Sequence, residues 1–96
     1  MNTKGSEIEQ KAPSRRIGRF IIANHLIDNA PDAVMKAMAN VIVVRAEALY
    51  AQKGIEYIGI SDSFAEVSEG AEAPTYTAIV KRGKEGDVTF SNWVRL

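Results

Sequence analysis

The chain has 96 residues, 46% of them hydrophobic and 25% charged, the make-up of one ordinary globular domain. Twelve basic residues balance twelve acidic ones, which argues against binding that rests on neutralising many phosphates, as on long nucleic acid. Cysteine is absent, so disulfides, thiolate catalysis and cysteine-held zinc are excluded, and an intracellular, cytoplasmic location is expected for so small a domain.

The elements are expected as follows. Residues 1–14 lack hydrophobic periodicity and read as a mobile tail without an apolar signal core. It runs into the basic cluster Arg15, Arg16 and Arg19, either a solvated end or an arm for a phosphate or an acidic partner. Residues 17–28, IGRFIIANHLID, fit a short helix or a short strand, helix being slightly favoured. Pro31 and Asp32 suit a first helical turn and Gly54 suits a C-terminal cap. The spacing therefore predicts one long helix over about residues 31–53. On a helical wheel Asp32, Lys36, Asn40, Glu47 and Tyr50 form a narrow polar face. Apolar residues from Val34 to Leu49 cover an arc of roughly 200°, about twice the stripe that a helix on one sheet needs. That excess predicts a homo-oligomer.

Beyond Gly54 the pattern becomes β. Residues 55–61, 75–82 and 88–96 read as strands, 62–74 as an acidic loop and 83–87 as a hairpin turn. The last two strands are expected to pair antiparallel. Tyr76, Ala78, Val80 and Arg82 share one face. In the last strand simple alternation puts Val88, Phe90, Asn92, Val94 and Leu96 on the core side and Trp93 opposite, where an oligomer interface would cover it. The expected fold is thus a single α+β domain, residues 15–96. One long central helix packs on a small, mainly antiparallel sheet of three or four strands. No run approaches the roughly 20 apolar residues of a membrane span.

Few residues suggest chemistry. The single histidine, His25, cannot make a usual zinc site alone. Ser61 or Ser63 with His25 and Asp28 or Asp62 would make a triad only on paper, since no nucleophile-elbow motif surrounds either serine. Neither standard phosphate-loop signature occurs. No enzyme activity, cofactor or metal is expected. Arg45 falls within the apolar arc, so it either snorkels or pairs with a carboxylate, or it lines a pocket for an anion. Arg82 and Arg95 are ordinary surface charges, or anion ligands brought together between subunits. Phe64 plugs the core or stacks on a ligand base, as Tyr76 would. Asn92 would read the edge of that base.

Residues 57–76, YIGISDSFAEVSEGAEAPTY, carry the pattern Tyr57-Ile-x-Ile-Ser followed by Phe64, Val67, Gly70, Pro74 and Tyr76. This stretch resembles small phage- and prophage-encoded proteins, including anti-defence proteins of the anti-Thoeris type that sequester cyclic-nucleotide signals. The resemblance spans about a fifth of the chain and carries no binding residue over. It implies an oligomer with pockets between subunits, no catalysis, and the cytoplasm of the phage's host. The expected function is a non-catalytic homo-oligomer that binds a small anionic nucleotide through Arg45, Phe64, Tyr76, Arg82, Asn92 and Arg95. The alternative is a protein–protein interaction module or inhibitor of a host factor, in which the acidic loop 62–72 and the basic tail make the contacts.

Overall fold

The computed structural model describes residues 14–96. The tail expected over residues 1–14 lies outside them, save Ser14, which opens the first strand. That strand, β1, spans Ser14–Ala23, and a one-turn helix, α1, follows at Asn24–Asn29. The ambiguous stretch 17–28 is therefore strand first and helix second.

The long helix expected over 31–53 does not exist. Helix α2 spans only Pro31–Met38. It keeps the expected start, with Pro31 in its first turn and Asp32 beside the positive helix end, where a carboxylate is favoured. It stops before Asn40 and the run Val41-Ile42-Val43-Val44. These four β-branched side chains lose rotamer freedom in a helix and suit a pleated surface. Strand β2 covers Ile42–Leu49 and strand β3 covers Gly54–Ile60. Lys53 and Gly54, read as a helix end, instead close the turn between them. Lys53 takes the left-handed conformation (φ 55°), and its N–H donates to the Tyr50 carbonyl at 3.2 Å. The helical wheel and the apolar arc that placed Arg45 in a buried stripe are overturned with the helix. The chain is mainly β, not an α+β fold on a central helix.

Strand β4 is Glu66–Ser68, inside the segment read as a loop; β5 is Tyr76–Arg82 and β6 is Val88–Arg95. Two sheets form, one ordered β2-β3-β1-β4 and the other the β5–β6 hairpin, with every strand pairing antiparallel. Gly18, Phe20 and Ile22 of β1 sit in register with Gly59, Tyr57 and Ile55 of β3. This row is the inner face, because Phe20 and Ile22 are buried. The opposite parity puts Ile17, Arg19 and Ile21 on the outer face with Ile60, Ile58 and Glu56.

The hairpin corrects the expected alternation. Ile79 pairs with Asn92 but Val80 pairs with Phe90, so Ser91 is an extra residue in β6. A bulge of this kind shifts the parity of everything beyond it. Phe90 and Trp93 therefore share the face of Tyr76, Ala78 and Val80. Asn92 turns to the other side, beside Ile79, and is exposed. Trp93 is a core residue, its ring 4.5 Å from Phe20 and 5.5 Å from Phe64.

The two sheets meet through aromatic rings. Phe20 packs on Tyr57, Phe64 and Trp93, and Phe64 on Tyr76 at 4.5 Å. Val34 and Met38 of α2, with Leu26 and Ile27 of α1, pack against this cluster. Gly18 makes the approach possible: a Cβ there would lie 2.7 Å from the Tyr76 ring and 2.9 Å from Phe64. Truncating a fully buried aromatic costs about 3–5 kcal/mol, a large share of what holds a domain this small together. Urea unfolding of Phe64→Ala should show a loss of that order, while Met35→Ala, at a side chain that is 68% exposed, should stay within about 0.5 kcal/mol of wild type.

Candidate functional site

Helix α1 is short, so its position depends on what flanks it. The Asn24 N–H donates to the Lys53 carbonyl at 2.8 Å, which ties the end of β1 to the β2–β3 turn. The Asn29 side-chain amide donates to the His25 carbonyl at 2.8 Å, and the Ala30 N–H to that of Leu26 at 2.8 Å. These bonds close the helix just before Pro31.

Opposite α1 stands the turn end of the hairpin. The Gly83 N–H donates to the Asp87 carbonyl at 2.7 Å and the Gly86 N–H to that of Gly83 at 3.1 Å. Gly86 adopts φ 87°, which a glycine takes without steric cost. Arg82 Nη1 donates to the Gly86 carbonyl at 3.2 Å, so the guanidinium is laid across the turn.

Between α1 and the hairpin lies a cleft of about 320 Å³. Leu26, Val80 and Val88 give it apolar walls; His25, Asn29 and Arg82 are its polar side chains. Arg82 uses one of five N–H donors on Gly86, which leaves a fork suited to a carboxylate or phosphate. His25 and Asn29, four residues apart on one helical turn, face the same space. The sequence singles out Arg82, but it offers Asn29 only as a helix cap, whereas Ala30 holds that place, and His25 as a packed or surface side chain or a metal or triad candidate. The signal available was their i, i+4 spacing, which has meaning only once 24–29 is known to be helical.

The other expected ligand residues do not join this cleft. Phe64 is 1% exposed and Tyr76 is likewise buried, so both rings belong to the core. The Tyr76 hydroxyl accepts the Ala65 N–H at 2.7 Å. Arg95 pairs in register with Tyr76, and Arg82 with Val88. Six residues of strand, roughly 20 Å, therefore separate the two arginines. Asn92 is exposed on the outer side of the hairpin, its amide 3.5 Å from the Trp93 carbonyl. Arg45 is exposed on β2.

The triad drawn on paper is not assembled. Ser61 and Ser63 lie in the connection after β3, where the Ser61 hydroxyl accepts the Ser63 N–H at 3.1 Å, and neither lines the cleft that holds His25. Among the described residues, no group of three His, Asp or Glu side chains is placed to hold a metal ion. Among the described residues, no helix is long and apolar enough to cross a membrane.

Besides the Ser63–Ser61 bond, individual contacts rather than regular structure hold the 61–65 segment. The Ser61 N–H donates to the Arg16 carbonyl at 3.0 Å, the Phe64 N–H to the Ser61 carbonyl at 3.1 Å, Arg16 Nη1 to the Phe64 carbonyl at 3.1 Å, and Ala65 to Tyr76. Comparison with family models, curated proteins and solved structures finds no match.

Tyr76→Phe keeps the ring but strips the Ala65 N–H of its acceptor. It should cost about 1–2 kcal/mol and speed amide hydrogen exchange at Ala65, with the far end of the hairpin unaffected.

Proposed function

We propose that this chain is a non-catalytic binding protein that works as a homo-oligomer and takes a small anionic ligand, of the cyclic-nucleotide signal class, in the cleft between α1 and the hairpin. One observation carries the reading: Arg82 is pinned across the turn with donors to spare, beside the apolar walls of Leu26, Val80 and Val88. A cation prearranged by a backbone carbonyl loses less freedom when an anion arrives. The volume stands at the small end of the roughly 300–1,000 Å³ of ligand pockets, which fits one phosphate and part of a nucleoside better than a large ligand. The likeness of residues 57–76 to phage-encoded signal-sequestering proteins supports the same ligand class and action in a host's cytoplasm. Arg45, Asn92 and Arg95 lie outside this cleft and have no part in it within one chain.

Calorimetry with a panel of cyclic mono- and dinucleotides, and with inorganic phosphate, tests the ligand. At least one nucleotide should bind, and Arg82→Ala should weaken it tenfold or more with the unfolding midpoint unchanged. No heat with any member of the panel, or equal affinity in the variant, would reject the site.

The exposed acidic segment favours a second reading, an interaction module that contacts a basic partner. Asp62, Glu66, Glu69 and Glu72 are all exposed along it. Charge reversal at Glu66, Glu69 and Glu72 together should abolish capture of a host partner if that surface is the contact, and leave nucleotide binding intact.

A further inference from the structure

We infer that a second copy of this chain docks along the free edge of β2, antiparallel and about a two-fold axis at Ala46, so that each Arg45 pairs with Glu47 of the other copy. The inference rests on the homo-oligomeric part of the function proposed above and names the seam.

Strand β2 stands at the end of the order β2-β3-β1-β4, so among the described residues one row of its N–H and C=O groups has no strand to pair with. Such an edge is a template for another chain unless something blunts it. Its side chains are exposed on both faces. Ile42, Val43 and Val44 are 70%, 43% and 55% exposed, and only Leu49 of the eight residues is half-buried. Three consecutive exposed β-branched residues on an unpaired edge are costly in water and well suited to a strand partner.

The charges choose the partner and the register. Arg45 and Glu47 lie two apart on the outer face, in register with Ile58 and Glu56 of β3. Neither has an ion pair among the described residues. An isologous antiparallel pairing that keeps each face on its own side must centre on a residue. Centred on Arg45 it would oppose two arginines, and centred on Glu47 two glutamates. Centred on Ala46 it sets Arg45 against the second copy's Glu47, and Glu47 against its Arg45. Opposite charges directly across a ladder are favourable and like charges unfavourable.

The bulge fits the same register. The pairing of β2 with β3 steps from Val43↔Gly59 to Arg45↔Ile58, which leaves Val44 as the extra residue. Stepping over Val44 on the free side as well sets Val43 against the second copy's Ala48 and Ile42 against its Leu49. Apolar then meets apolar at both ends of the charged pair. A bulge and two charges are also the usual means of keeping an edge from pairing at random. Here they leave one self-complementary register open, and the resulting main-chain ladder is the ordinary chemistry of strand addition.

The test uses the full chain, by native mass spectrometry and light scattering from 1 to about 100 µM. Wild type should be dimeric or a multiple of the dimer. Arg45→Glu and Glu47→Arg, each of which opposes like charges, should each weaken association about tenfold or more. The double swap Arg45→Glu/Glu47→Arg should restore it. Because the chain has no cysteine, Ala46→Cys should link to itself under mild oxidation, whereas Ala48→Cys, which would face Val43, should not. Both charge sites are exposed, so unchanged circular dichroism of the single variants separates lost docking from lost folding. A self-associating wild type whose mass is indifferent to both single swaps, or whose Ala46→Cys variant fails to cross-link, overturns this seam and leaves the homo-oligomeric reading standing. A wild type that stays monomeric throughout overturns both.

Discussion

Everything in this fold hangs on the contact of Phe20 and Phe64 with Tyr76 and Trp93. Neither sheet buries a face without the other, since the larger one turns Phe20, Ile22, Ile55 and Tyr57 inward and the hairpin is two strands. A two-stranded hairpin alone is marginal in water. The rings join the two because Gly18 leaves a hollow in β1 that a methyl group would fill. The hydrogen bond from Ala65 to the Tyr76 hydroxyl and that from Arg16 to the Phe64 carbonyl then hold the connection that delivers Phe64. The two bonds give direction to what would otherwise be non-directional burial.

The position of the cleft follows from that contact. The hairpin is fixed at its Tyr76–Trp93 end, and its turn end projects alongside α1. Arg82 and Arg95 lie at opposite ends of the same hairpin and do opposite things. Arg95 sits above the anchored end, and Arg82 lies where the hairpin leaves the core and space remains for a ligand. The surface apart from the cleft is also unevenly used. The inner side of the large sheet is covered by aromatic and helical side chains, whereas β2 is exposed along nearly its whole length. The cleft and the free edge lie on different elements, so the proposed binding and the proposed assembly need not compete for the same residues.

Much of the β half was legible in the sequence. Strands near 55–61, 75–82 and 88–96 and the turn at 83–87 were marked by β-branched runs and by Gly and Asp, and each lies within a residue or two of its expected bounds. The first half was misread because helix signals that are individually sound were joined across a break. Pro31 and Asp32 do start a helix, but Lys53 lies in the β2–β3 turn and Gly54 opens β3 instead of ending a helix. Between them, however, the run from Val41 to Val44 outweighs the Ala-rich flanks, and β2 supplies the antiparallel partner that β3 then pairs with. Helix propensity is a weak preference that such pairing overrides.

By itself the sequence determined the ingredients: a cysteine-free chain with balanced charge, a hairpin in its last third, and Phe64 as an aromatic too costly to leave in water. It also held the short-range signals that set turns, because Gly, Pro and Asp act through their own backbone preferences. Tertiary structure decided which side each residue faces. The extra residues Val44 and Ser91 each reverse the parity of a strand, so that Trp93 turns inward and Asn92 outward, and no period-two count finds a bulge. It also decided that Arg45 stands on a free edge instead of in an apolar stripe, since which strand lies outermost is a property of the whole sheet and not of any one segment.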